Sequence, residues 1–270
     1  MAKLDLDSYF SRIGYTGPRE PSLAVLRSLQ ALHPAAIPFE NLDVIRRVAI
    51  RLDLPSIEKK LVRDRRGGYC FEQNALFAAV LEELGFEVTP LAARVRWQVP
   101  SQTQTALTHM VLRVDVERAP YLADVGFGGQ TPTGPLRLDV PDAQRTPHET
   151  FRITRTGERY ALQIQLPDGY SDLYVFTLER QYLVDFELGN WFTSTHPTSH
   201  FVQNLTLARA GPEGERISLF NRELVIRRGS EAEKRNLQTP EELLEVLASH
   251  FGLHFPAGTR FGSPGAPWPS

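Results

Sequence analysis

The stretch Arg65-Arg66-Gly67-Gly68-Tyr69-Cys70-Phe71-Glu72-Gln73-Asn74 carries the only cysteine of the chain, at a point where a helix should begin. From Cys70 onward, Phe71, Ala75, Leu76, Ala78, Ala79, Val80, Leu81 and Leu84 recur at helical spacing without an internal Gly or Pro. The run stops at Gly85, a residue suited to the left-handed position after a helix. Cys70 is therefore expected in the first turn of a buried helix, where the macrodipole and the unpaired N–H groups favour a thiolate, the nucleophilic form. Gly67 and Gly68 keep the approach to the sulfur free of side chains. A buried cysteine acting as a small hydrophobe fits the same position, so the rest of the chain has to decide.

Outward from this stretch, the N-terminal third reads as helical. Leu6, Tyr9, Phe10 and Ile13 share a face before Gly14, and Ser22 can cap a helix carrying Leu23, Val25, Leu26, Leu29 and Leu32. A loop through Pro38-Phe39-Glu40-Asn41-Leu42-Asp43 follows, and then a short helix from Ser56 with Ile57, Leu61 and Val62 inward. After Phe86 the apolar period falls to 2, predicting strands at 90–99, 108–116, 121–125, 151–155, 160–166 and 173–178. Short strands at this spacing suggest an antiparallel sheet or small barrel. Further on, 217–220 and 223–228 flank Asn221-Arg222 as a hairpin, and Thr239-Pro240-Glu241-Glu242 opens a helix that runs to Gly252. The tail 262–270, rich in Pro and Gly, reads as a poorly ordered end.

The chain has 270 residues, with 30 Lys plus Arg against 32 Asp plus Glu, so no basic surface for nucleic acid is indicated. The first residues lack the apolar run of a secretory signal, and no apolar stretch is long enough to span a membrane. One cysteine makes neither an internal disulfide nor a multi-thiolate metal site. The expectation is a soluble, reduced, cytoplasmic protein with no nucleic-acid or membrane partner.

A catalytic thiol usually needs a base and a third group that orients the base. The segment Thr108–Val116 offers His109, with Met110, Leu112, Val114 and Val116 on the opposite face, and the segment Tyr121–Gly126 offers Asp124. Polar groups in such apolar strands need partners. A hairpin centred between Val116 and Glu117 places residues 109 and 124 directly opposite each other, whereas a centre at Arg118 and Ala119 keeps them on one side but too far apart to bond; the first register, or a bulge that achieves it, is the one expected. A histidine bonded to a carbonyl and an aspartate at a turn explain each residue taken singly. His196 and His200 are separated by Pro197, which disfavours a metal-binding pair, so no metal site is expected. His33, His148, His250 and His254 stand in loop or helix-end contexts that default to solvent exposure. Val125-Gly126-Phe127-Gly128-Gly129 is a glycine-rich turn whose N–H groups could face phosphate, although a plain turn explains it equally well.

Together, Arg66–Asn74, Thr108-His109-Met110, Ala123–Gly128 and Pro38–Leu42 resemble the corresponding segments of the arylamine N-acetyltransferases, and the length is similar to that of the bacterial-type members. The resemblance covers most of the chain and weakens beyond Phe201. It implies an α+β architecture with a papain-like Cys-His-Asp arrangement. An N-terminal helical bundle (1–86) would carry the nucleophile, a central antiparallel β-barrel-like domain (87–200) the His and Asp, and a C-terminal α/β domain (201–270) a lid and the Pro-rich tail. It implies Cys70, His109 and Asp124 as catalytic residues, with Phe39, Val95, Phe127 and Phe201 lining the acceptor site. Trp97, Thr108, Gly126 and Gly128 would lie along the coenzyme path. No tightly bound cofactor is implied: acetyl-CoA would be a co-substrate and small aromatic amines or hydrazines the acceptors, in a ping-pong reaction through an acetyl-cysteine thioester. The order Cys, His, Asp alone also suits a papain-like peptidase or a transglutaminase. A silent binding protein with a buried Cys70 stays open as well, as does a homo-oligomer.

Overall fold

In the computed structural model, which describes residues 4–100 and 102–262, the helices of the first third lie against one face of a long curled sheet. Helix α1 (Leu6–Ile13) is capped by the Asp5 carboxylate and closed by Gly14 at φ 70°. Ser22 caps α2 (Leu23–Ala36) by accepting from the Val25 N–H. The segment 38–43, expected as a loop, instead holds a short strand, β1 (Phe39–Glu40), and a single helical turn, α3 (Leu42–Ile45). Two residues of strand carry too little period to be seen in sequence. Helix α4 (Leu54–Glu58) begins one turn's edge earlier than Ser56, because Asp53 is the cap, and widens into a π turn over Lys59–Arg63. Helix α5 (Cys70–Glu83) starts and stops where the apolar pattern places it, with Gly85 at φ 87° just beyond.

The curled sheet comprises β2 (Glu87–Val95), β3 (Leu107–Val116), β4 (Ala119–Ala123), β5 (Leu136–Arg137), β6 (Gln144–Arg145), β7 (Thr150–Thr156), β8 (Arg159–Leu166) and β9 (Gly169–Phe176). Their order, β5-β4-β3-β2-β9-β8-β7-β6, is antiparallel throughout, and β5 returns to β7 so that the sheet nearly closes into a barrel. Alternation along β3 divides the two cores. Met110, Leu112, Val114 and Val116 pack on the helices, while Val111 faces the barrel interior with Leu91, Leu162 and Phe176. Strand β2 begins earlier and ends sooner than read, at Val95, because the chain turns through Arg96–Gln98.

Helix α6 (Leu183–Thr195) and the short α7 (His200–Gln203) lead to a second antiparallel sheet, built from β10 (Thr206–Ala210), β11 (Glu215–Phe220), β12 (Glu223–Arg228) and β13 (Glu231–Asn236). The β11–β12 hairpin is the one read from sequence, and α8 (Pro240–Phe251), capped by Thr239 and closed by Gly252 at φ 66°, packs on this sheet through Leu243, Val246, Leu247 and Phe251. Strand β1 completes the sheet by pairing with β10, with Phe39 opposite Ala208. The first third of the chain is thereby stitched to the last. The Pro-rich tail expected at 262–270 lies, beyond Gly262, outside the described residues, as do Met1–Lys3.

Asn41 makes the same link with its side chain. Its Nδ2 donates to the Phe201 and Asn204 carbonyls at 2.8 and 2.7 Å, and its Oδ1 accepts from the Thr206 N–H at 2.8 Å. Asn41→Ala should destabilise the fold by about 1–3 kcal/mol in urea unfolding, because buried polar groups lose their partners. Asn41→Asp should cost more, since a carboxylate would then face two carbonyl oxygens.

Candidate active site

The N-terminus of α5 is fixed from beneath by charge. Glu72 accepts from the Tyr69 N–H through Oε2 at 3.1 Å, capping the helix, and pairs with Lys60 Nζ through Oε1 at 2.7 Å. Lys60 also reaches Asp43 at 2.8 Å, and Arg66 bridges Glu40 and Asp43 at 2.7 and 3.0 Å. Burial disfavours charge on Lys60, but the surrounding Glu72, Glu40 and Asp43 carboxylates raise its pKa above the ordinary lysine value. The glycines before the cysteine are required by close packing. A Cβ on Gly67 would stand 2.1 Å from the Pro38 carbonyl, and one on Gly68 2.7 Å from the Glu72 carboxylate.

Cys70 is 4% exposed, with its Sγ 3.6 Å from the Thr108 carbonyl oxygen. His109 and Asp124 come beside it by a register other than the expected one. Val116 pairs with Ala119, so the hairpin turns on Glu117-Arg118, both at positive φ (52° and 62°), as in a type I′ turn. The register puts Asp124 two residues from direct opposition to His109 but on the same face, within diagonal reach. The ladder ends at Ala123, and the His109 Nε2 to Asp124 Oδ2 distance is 2.8 Å.

The carboxylate is held on its other edge as well. Asp124 Oδ1 accepts from Asn74 Nδ2 at 2.9 Å and from the Gly126 N–H at 2.8 Å. Asn74, one helical turn beyond Cys70, also donates to the Met110 carbonyl at 2.8 Å and accepts from the Val125 N–H at 3.0 Å. Gln30 on α2 donates to the Asp124 carbonyl at 3.4 Å and the Pro132 carbonyl at 3.1 Å.

These partners set the proton positions. Burial alone would raise the Asp124 pKa, but the His109 charge and hydrogen bonds from His109, Asn74 and Gly126 lower it below the ordinary carboxylate value. Burial would lower the His109 pKa, yet the Asp124 charge and hydrogen bond, joined by contact with Cys70, push it up to about 10. The Asp124 bond occupies Nε2, which leaves Nδ1 for the sulfur. Because the folded value lies above the unfolded 6.5, the pair's stabilisation is complete below that pH and fades as pH rises through about 10.

The profile of the N-acetyltransferase family matches residues 22–259. The arylamine N-acetyltransferase of Mycolicibacterium smegmatis is 42% identical over 254 residues, covering 93% of this chain and 92% of that enzyme. This chain belongs to the arylamine N-acetyltransferase family. It is an acyltransferase. The Escherichia coli K12 arylamine N-acetyltransferase is 41% identical, covering 92% of this chain and 88% of that one. Among solved structures, a Mycobacterium marinum arylamine N-acetyltransferase in complex with CoA superposes with a TM-score of 0.89 at 43% identity, over 92% of each chain.

Of the residues assigned by family resemblance, Phe127, Thr108 and Gly126 contact the Cys70 or His109 segments, and Phe39, Phe201 and Gly128 cluster together. The Phe127 ring packs edge-on to His109 at 5.0 Å between centroids. Phe39 and Phe201 are 5.8 Å apart, with Tyr69 edge-on to Phe201 and Gly128 (φ 77°) against Phe39. Val95 pairs with Tyr174 across the β2–β9 ladder, and Trp97, in the turn after β2, packs on the barrel core. Thr108 is present through its carbonyl at the sulfur. Gly126 is buried, its Cα turned toward the Cys70 backbone.

Sequence reading passed over Asn74, Gln73, Glu72 and Tyr174. Tyr174 is fully buried, packs on both His109 and Phe127, and is kept protonated by burial beside Asp124. The four-residue spacing from Cys70 to Asn74 was the available signal for Asn74. His33 and His148, read as exposed by default, are respectively buried and half-buried: His33 lies between Tyr9 and Gln73, and His148 between Thr133 and the Gly211 carbonyl. His196 Nδ1 engages Thr198, and His200 stacks on Phe220. Among the described residues no group of three His, Cys, Asp or Glu is placed to hold a metal ion, and no helix is long and apolar enough to cross a membrane.

A Cβ on Gly126 would stand 2.8 Å from Cys70 Cα and 2.9 Å from Asn74 Nδ2. Gly126→Ala should therefore displace Cys70 and lower acyltransferase turnover by about a hundredfold. Gly129→Ala, where a Cβ meets nothing within 4 Å, should leave turnover unchanged.

Proposed function

We propose that the protein transfers an acetyl group from acetyl-CoA to the nitrogen of arylamines or arylhydrazines, by a ping-pong mechanism through an acetyl thioester on Cys70. The observation that carries this reading is the buried His109–Asp124 pair, 2.8 Å apart, beside a cysteine at the N-terminus of α5. In the first half-reaction the Cys70 thiolate attacks the acetyl carbonyl. The Sγ–C bond forms, the C–S bond to coenzyme A breaks, and the imidazolium of His109 supplies the proton that the departing coenzyme thiolate takes up.

In the second half-reaction the amine nitrogen attacks the thioester carbonyl. The N–C bond forms, the Sγ–C bond breaks, and the amine's proton passes to His109, regenerating the ion pair. Asp124 keeps the ring in one orientation and stabilises its charged form throughout. A thioester retains the activation of the donor, so it must be kept from water. Phe39, Phe127 and Phe201 form the apolar walls suited both to that and to a flat aromatic acceptor. Trp97, Thr108, Gly126 and Gly128 are assigned to the coenzyme side, and acetyl-CoA comes and goes as a co-substrate. A relative solved in complex with CoA supports acetyl-CoA as the co-substrate.

Intact-protein mass spectrometry after mixing with acetyl-CoA alone should show a single acetyl adduct on Cys70, which disappears when an arylamine or arylhydrazine is added. The Cys70→Ser variant should show no more than trace turnover. No adduct on a readily alkylated Cys70 would contradict the reading.

A further inference from the structure

One buried histidine lies outside the Cys70–His109–Asp124 group yet is wired to the nucleophile helix. Gln73 Nε2 donates to three carbonyl oxygens, those of Pro38 at 2.9 Å, Gly68 at 3.2 Å and Ile37 at 3.3 Å. Those carbonyls belong to two segments that bridge at Phe39 and Gly68: the one leading into Phe39 and the loop leading into Cys70. The same segments touch directly, with Glu40 N–H donating to the Gly68 carbonyl at 3.0 Å and Gly68 N–H to the Pro38 carbonyl at 3.3 Å. A carboxamide serves three carbonyls only if its NH2 group faces them, so Oε1 must face the other way. It faces His33 Nε2 at 2.6 Å.

Proton positions follow without choice. Oε1 accepts, so His33 Nε2 carries the hydrogen. Nδ1 is then the acceptor of the hydrogen bond that the Tyr9 hydroxyl donates, at 2.8 Å. The ring is fully buried and edge-on to Phe77, and burial lowers its pKa to about 4, consistent with a neutral imidazole.

We propose that His33 is a positioning residue for acyl transfer: its Nε2–H fixes the orientation of the Gln73 amide, which clamps the Phe39 wall of the acceptor site to the Cys70 loop. This role rests on the acetyl-transfer reading above. Released from His33, the Gln73 amide can turn, placing an oxygen against carbonyl oxygens and loosening the wall. The helix cap made by Glu72 does not depend on His33, so the attack of Cys70 on the donor is spared. The amine half-reaction bears the loss.

Isosteric replacement separates this role from packing. In His33→Gln the side-chain amide can reach the position of Nε2, whereas in His33→Asn it mimics Nδ1 and falls short of Gln73. H33N should raise the KM for an arylamine about tenfold while the rate of Cys70 acetylation by acetyl-CoA stays within about twofold, and H33Q should stay within about twofold of wild type in both. Equal losses in H33N and H33Q, or losses shared by both half-reactions, would overturn the role, as would an H33N enzyme indistinguishable from wild type. If H33N does not fold, the same split is read on Tyr9→Phe, where a rise in KM of about threefold supports the role and an unchanged KM overturns it. Long-range 1H–15N NMR of the wild type should show His33 neutral with its proton on Nε2, and a proton on Nδ1 would overturn the network whatever the activity. A wild-type protein that takes no acetyl group from acetyl-CoA overturns the acetyl-transfer reading and this role with it. Normal wild-type acetylation with no KM split among the variants overturns this role alone.

Discussion

Burying the Asp124 carboxylate constrains everything around the sulfur. An unpaired carboxylate at 1% exposure would be prohibitively costly, so its oxygens must be filled by donors. The donors come from three places: the His109 ring on β3, the Asn74 side chain on the nucleophile helix, and the Gly126 backbone in its own turn. Satisfying one charge therefore docks the helix onto the barrel and aims the imidazole at the cysteine. The fold and the geometry of the proposed catalytic group are here the same set of hydrogen bonds.

A second layer of polar groups holds α5 in place. On one flank Lys60 and Arg66 pair with the Glu40, Asp43 and Glu72 carboxylates around the helix cap. On the other, Tyr9, His33 and Gln73 form a neutral chain reaching the backbone around Phe39. The later part of the fold closes over these supports. Strand β1 joins the second sheet, Asn41 bonds the turn after Phe201, and Arg216 on β11 reaches the Thr131 carbonyl at 2.7 Å beside Glu149. Each of these ties crosses between segments distant in sequence and joins the last third of the chain to an earlier segment.

What could be read from the chain alone followed periodicity and punctuation. Helices α5 and α8 were legible because an apolar stripe of period 3.6 ended at Gly85 and Gly252, both now seen at positive φ. The β3–β4 hairpin was legible as a hairpin, but its register was not, since nothing in Glu117-Arg118 advertises two residues at positive φ. Helix α6 was missed for a physical reason. Leu183, Val184, Leu188 and Trp191 point outward while Phe186 points inward, so apolar residues occupy both faces and the period vanishes. Strand β13 is exposed along its length and carries no apolar signal. The Cys, His and Asp were found as residue types in apolar elements, and Asn74, Gln73 and His33 were not, because polar side chains bonded to distant backbone have no local pattern.

The proposed chemistry rests on Asp124 holding His109 as an imidazolium against Cys70. The most direct measurement is an NMR titration of the His109 ring nitrogens in the wild-type protein and in Asp124→Asn. The wild-type ring should stay doubly protonated through neutral pH and release its proton near pH 10, with a large downward shift when the carboxylate becomes an amide. A wild-type ring titrating at or below the ordinary histidine value of 6.5, or one unmoved by Asp124→Asn, would contradict it.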